Sequence, residues 1–191
     1  MSKQVRDVLR DIENFQPHDM IEEAYLLLTR RLLKEKGEDA FSRVTKDAHV
    51  TASSWIINPE HTHVLLVHHK GLGMWCQPGG HCEEADKNLH ASAFREAREE
   101  TGLKKLKPVS PEVFDLDVHT IPNNKAKGEK SHLHHDVRYV FETEMDNEIT
   151  AQVDEVNEVK WFALEDVQGL NSDESVGRMV EKTLKMRKVG R

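Results

Sequence analysis

The period of the apolar positions changes along this 191-residue chain. Over the first 36 residues it is helical: Val5, Val8, Leu9, Ile12 and Phe15, then, beyond Pro17, Ile21, Tyr25, Leu28 and Leu32. The pattern predicts two helices. Asp19, three residues before Glu22, forms a capping box for the second, and Gly37 stops it. These helices are read as an N-terminal extension over 1–45 that caps a main domain over 46–191; a dimerisation arm or a lid is the alternative. From residue 48 the run becomes Val-, Ile-, Thr- and Leu-rich. Residues 49–58 and 63–69 read as a β-hairpin around Asn58-Pro59-Glu60. A turn follows at 70–73, a helix over 88–101, strands over 112–122, 133–142 and 158–163, a short helix over 164–170 and an amphipathic helix over 174–187. Strands and helices mix without regular βαβ alternation, which predicts an α+β sandwich on a mixed sheet.

Composition narrows the function classes. Charged residues make up 32% and hydrophobic ones 37%, enough apolar material for a core in a chain of this length. Lys and Arg total 27 against 34 Asp and Glu, a formal net charge of −7, which argues against a nucleic-acid coat or an anionic-membrane binder. No apolar run approaches the roughly 20 residues of a membrane helix. The N-terminus lacks a signal-peptide core, and two cysteines, Cys76 and Cys82, make neither a disulfide framework nor a four-cysteine zinc site. A reducing cytoplasm is the simplest setting. Twelve histidines are more than expected.

The informative stretch runs from Gln77-Pro78-Gly79-Gly80-His81 to Arg95-Glu96-Ala97-Arg98-Glu99-Glu100-Thr101-Gly102-Leu103. Asp86 or Asn88 caps the helix start and Gly102 supplies a left-handed stop. At about 100° per residue, Glu96, Glu99 and Glu100 fall within an arc of roughly 100°, with Ala93, Phe94 and Ala97 to one side. Like charges at this spacing cost about 0.2–0.5 kcal/mol per pair. A hard divalent cation offsets that repulsion, because Mg²⁺ takes oxygen ligands and keeps room for water and phosphate oxygens. Arg95, one turn before Glu99, pairs with it. Gly79-Gly80 lets the backbone turn sharply and approach a ligand closely.

Together these residues resemble the Nudix box of the Nudix hydrolase superfamily. Arg95 to Leu103 matches the second half of that box at every fixed position, and Gly80 matches its opening glycine. The loop between them is one residue longer than the family's, so its glutamate is replaced by Asp86 or Lys87 according to the direction of counting. The resemblance covers about residues 40–165, and the histidine-rich segments 114–119 and 132–139 are similar to a bacterial subgroup of the family. It implies an α/β/α sandwich and Mg²⁺- or Mn²⁺-dependent hydrolysis of a nucleoside diphosphate linked to a group X: a nucleotide sugar, dinucleotide or nucleoside triphosphate. It implies Gly79, Glu96, Glu99 and Glu100 as metal ligands. One of those glutamates, or Glu155, orients or deprotonates the attacking water. A Nudix-fold sensor that binds a nucleotide without cleaving it is the alternative.

Alternate residues of a strand share a face. His132, His134, Asp136 and Arg138 therefore point one way, as do Asp115, Asp117 and His119 on the preceding strand. Pairing of the two strands through residues 123–130 brings His119 near His132 and His134. Three readings stand. His81, His119, His132, His134 and Arg138 bind the substrate's phosphate or sugar; His119, His132, His134 and Asp136 hold a transition metal; or the histidines are simply solvated. Lys125, Lys127 and Lys130 form a basic hairpin tip, read as a solvated loop, and the cysteines are read as small buried fillers rather than ligands. The expected partner is a small nucleotide-derived substrate rather than nucleic acid or membrane, and the amphipathic terminal helices allow a homodimer.

Overall fold

The computed structural model describes residues 3–123, 130–152, 154 and 156–189, the side chains of residues 3, 4, 188 and 189 excepted. Two helices, α1 (Lys3–Glu13) and α2 (Met20–Lys36), lead into a short 3₁₀ turn. Next come β1 (Ala48–Ile57), β2 (His63–His69), β3 (Met74–Cys76) and β4 (Gly79–His81), and then α3 (Leu89–Thr101). The chain continues through β5 (Lys107–Pro108), β6 (Asp115–Ile121), β7 (His132–Glu142) and β8 (Val156–Ala163), and ends in α4 (Glu174–Val189). The strands order as β3-β2-β1-β7-β5, with β4 on β1, β6 on β7 and β8 on β2. The architecture is α+β, a mixed sheet with helices. Strands β3, β4 and β5, two or three residues each, are too short to announce themselves as alternating apolar runs. The 164–170 segment folds only as a 3₁₀ turn over Val167–Gly169. Among the described residues no helix is long and apolar enough to cross a membrane.

The chain divides into two compact units. One comprises Met1–Ala52, Gly80–Ser92 and Glu112–Arg138; the other comprises Ser53–Gly79, Ala93–Pro111 and Tyr139–Arg191. In the first, α1 buries Val5, Val8, Leu9 and Ile12, and Phe15, two residues past its end, is buried as well, the stripe the spacing predicts. Helix α2 starts at an Asp19 cap whose side chain accepts the Glu22 amide at 2.8 Å, and ends at Gly37. Its buried face is Glu22, Leu26, Thr29, Leu32 and Leu33; of the predicted stripe Leu32 is buried, while Ile21 and Leu28 are exposed. The reason is polar anchoring. The Glu22 carboxylate accepts the His18 amide at 2.6 Å and, across the chain, the Leu116 amide at 3.1 Å. Thr29 Oγ1 and His135 Nδ1 are 2.9 Å apart. Two polar residues face inward, which turns Met20, Ile21, Leu27 and Leu28 outward.

In the second unit the core is built from Trp55, Ile56, Ile57 and the Val64–Val67 run of β2. Strand β2 pairs with β8 from His63↔Ala163 to His69↔Val156. Trp55 Nε1 donates to Thr183 Oγ1 of α4 at 2.8 Å, tying the last helix to β1.

Candidate functional site

Residues 93–101 of α3 carry the three carboxylates. Asn88 Oδ1 accepts the Ala91 amide at 2.8 Å and so caps the helix; Asp86 instead accepts the Glu83 amide within the loop. Gly102, at φ 70°, stops it. Loop residues Thr150 and Gln152 donate their amides to the carbonyls of Thr101 and Glu100, so the end of the helix is held by the chain that follows β7. Ser54 Oγ donates to the Ala93 carbonyl at 2.7 Å and holds this stretch against β1.

The glycine turn is fixed on the same strand. The Ser54 amide donates to the Pro78 carbonyl at 2.8 Å. A Cβ built on Gly79 would stand 2.1 Å from Ser53 Oγ, so no other residue fits without movement. From this position the Gly79 amide donates to Glu100 Oε2 at 3.0 Å. Glu100 is 2% exposed. Arg95 Nη1 stands between Glu96, at 2.9 Å, and Glu99, at 3.0 Å. The Glu96 side chain is mostly covered and that of Glu99 is half exposed. The donor set is carboxylate oxygen throughout, the chemistry that suits a hard divalent cation. Arg95 offsets part of the repulsion among these acids and fixes two of their rotamers.

A second cluster belongs to the first unit. Antiparallel pairing of β6 with β7 sets His119 opposite His134, Asp117 opposite Asp136 and Asp115 opposite Arg138. One face of the ribbon thus carries histidines at one end and an ion-pair cluster at the other. Arg138 is fully buried. Its guanidinium meets Asp136 at 2.7 Å, Asp115 at 3.1 Å and Asp117 at 3.4 Å. Asp136 also accepts Thr51 Oγ1 at 3.0 Å.

At the other end four imidazoles converge. His132 and His134 approach Nε2 to Nε2 at 3.1 Å, and His49 and His81 at 3.0 Å. Ring centroids of His49 lie 4.9 Å from His132, 4.6 Å from His134 and 5.0 Å from His81. His119 is 5.6 Å from His134 and bonds Asp117 at 2.9 Å through Nδ1. Burial, then the neighbouring imidazoles, depresses the pKa of His134 to about 2. His135, on the opposite face, is lowered to about 4, mainly by burial.

The structure therefore brings Glu96, Glu99 and Glu100 onto one helix with Gly79 bonded to Glu100, and it joins His81, His119, His132 and His134. It does not bring Arg138 to the surface. Glu155, Lys125 and Lys127 lie outside the described residues. Cys76 and Cys82 are half-buried thiols that form no disulfide. His49, central to the imidazole cluster, has no motif around it in the sequence. It sits two residues before Thr51 in a strand, and only the surplus of histidines hints at it.

A NUDIX domain family model matches residues 47–182. The chain is 29% identical over 137 residues to the probable DHNTP pyrophosphohydrolase of Lactococcus lactis subsp. cremoris, covering 71% of this chain and 75% of that protein. The structure is similar to a NUDIX-family hydrolase from Clostridium perfringens, with TM-score 0.53 and 25% identity over 72% of this chain and 97% of the other. It also resembles an Ap4A hydrolase of C. elegans, with TM-score 0.56 and 18% identity over 74% of this chain and 98% of that one, a likeness of fold.

Proposed function

The chain belongs to the NUDIX domain family, and from that premise we propose that it is a metal-dependent pyrophosphohydrolase acting on a nucleoside diphosphate linked to a group X. The observation that carries the reading is the Gly79–Glu100 hydrogen bond, which ties the glycine turn to the acidic face of α3. The name of the Lactococcus relative adds DHNTP to nucleotide sugars, dinucleotides and nucleoside triphosphates as substrates to test.

In this reading Glu96, Glu99, Glu100 and the Gly79 carbonyl hold Mg²⁺ or Mn²⁺, which when bound neutralises phosphate-oxygen charge and acidifies a water. Glu100 is held in place by the Gly79 amide and by the tether at the helix end. Arg95 orients Glu96 and Glu99. Glu99, half exposed, is accessible to solvent water and is assigned to take its proton, with Glu155 as the second candidate. The water oxygen bonds to a phosphorus of the diphosphate, the bridging P–O bond breaks, and the leaving phosphate departs in line.

Arg138 is assigned to folding rather than to phosphate binding, because three carboxylates already surround it. The ring-to-ring contacts of His81, His132 and His134 favour a shared ion over a sugar or phosphate. Exposed Met20, Ile21, Leu27 and Leu28 on α2 suit a homodimer, and the two thiols suit a reducing cytoplasm.

The test is incubation with Mg²⁺ or Mn²⁺ and the substrate panel in ¹⁸O-labelled water. One substrate class is turned over, and label in a single product identifies the phosphorus attacked. Chelation abolishes turnover and either ion restores it. Glu100→Gln lowers kcat at least about a hundredfold while the fold is retained. Binding across the panel without turnover would replace the enzyme by a sensor.

A further inference from the structure

We propose that His49, His132 and His134 form a transition-metal site of the zinc class, with His81 packed beside His49 at its edge. Nothing in the hydrolase reading uses it. Each of the three offers a ligand nitrogen, and these nitrogens all lie within 4.8 Å of one another. Four nitrogens about 2.0–2.1 Å from one zinc ion stand roughly 3.3 Å apart in a tetrahedron. The Nε2 contacts of 3.0 and 3.1 Å are close to that spacing.

The outer nitrogens have the partners a ligand needs. His132 Nδ1 is 2.8 Å from the Lys130 carbonyl and His49 Nδ1 is 3.3 Å from the Thr45 carbonyl. A carbonyl only accepts, so each Nδ1 is the donor, and in the neutral ring that a metal ligand requires this leaves the Nε2 lone pair on the inner side. Each bare Nε2 then faces the Nε2 of another imidazole. An N–H···N bond accounts for either pair alone. It gives no reason for both pairs to meet, with all centroid distances among His49, His132 and His134 between 4.6 and 5.0 Å and His81 at 5.2 Å from His134. Imidazole suits Zn²⁺, Ni²⁺ and Co²⁺ and is a poor partner for Mg²⁺. The cluster is therefore chemically distinct from the carboxylates of α3. His119, braced by Asp117, flanks His134 from the paired strand.

The experiment uses the full chain after chelator treatment, titrated with ZnCl₂ by calorimetry and with Co²⁺ as a spectroscopic probe. One equivalent of Zn²⁺ binds, and Co²⁺ gives the intense visible bands of a tetrahedral nitrogen site. His132→Gln and His134→Gln each weaken Zn²⁺ binding by more than about a hundredfold, beyond the 10–100-fold that loss of a supporting group brings. Glu96→Gln with Glu100→Gln leaves it unchanged, so the result is independent of the hydrolase reading. Folding of the variants is checked by circular dichroism. Should His134→Gln not fold, His132→Gln, at the start of β7, reads the same site. Absence of Zn²⁺ binding, binding indifferent to the histidine variants, or a weak octahedral Co²⁺ spectrum lost in the glutamate variant overturns the proposal.

Discussion

Gly79 shows how a single hydrogen atom in place of a side chain positions a charged one. The methyl carbon of an alanine there would lie 2.1 Å from Ser53 Oγ, 2.6 Å from its Cβ and 2.7 Å from its Cα. Backbone must move, and the amide that holds Glu100 moves with it. Gly79→Ala is expected to cost about 1–3 kcal/mol, the usual range for overpacking, read from urea unfolding. It also lowers kcat. Adding Ser53→Gly removes the serine side chain but leaves the strand backbone in the way of the methyl group, so rescue is partial. Full recovery of stability in the double variant would show that the strand accommodates the methyl group.

At the scale of elements, α3 was legible because its signals are local: an Asn88 cap, a Gly102 stop and carboxylates at i, i+3 and i+4. The orientation of α2 was not, because it depends on long-range polar bonds. An amphipathic count cannot foresee that Glu22 meets the Leu116 amide or that Thr29 meets His135, 106 residues away. His49 escapes a sequence reading for the same reason: its partners come from β4 and β7. The β6–β7 face was legible, since pairing followed from two alternating runs and a connecting loop, and the structure sets His119 against His134. Two expected outcomes follow. Thr29→Val strips the Nδ1 partner from buried His135 and is expected to destabilise by about 1–3 kcal/mol in urea unfolding. Arg138→Met removes the guanidinium from among Asp115, Asp117 and Asp136 and is expected to cost about 3–5 kcal/mol, with Arg138→Lys only partly restoring it. Near-wild-type stability of the Met variant would show that the guanidinium is not what holds these carboxylates in the core.

For the whole molecule, the buried histidine on the far face of β7 gives stability an acid limb. His135 is 3% exposed; Thr29 faces it from α2, and the charges that lower its pKa are His119 on β6 and His49 on β1. Its folded pKa of about 4 compares with about 6.5 in an unfolded chain. Above pH 6.5 both states are neutral at this site and its full contribution is present. Between pH 6.5 and 4 the unfolded chain takes up a proton that the folded one refuses, so stability falls as pH falls. From pH 7 to 5 the loss is of order 2 kcal/mol. It is measured as the shift of the urea midpoint in the presence of chelator, which keeps metal binding out of the comparison. His135→Asn keeps a hydrogen-bonding group opposite Thr29 without a titrating ring, and is expected to flatten the slope between pH 7 and 5. An unchanged slope in that variant would assign the acid limb to other groups.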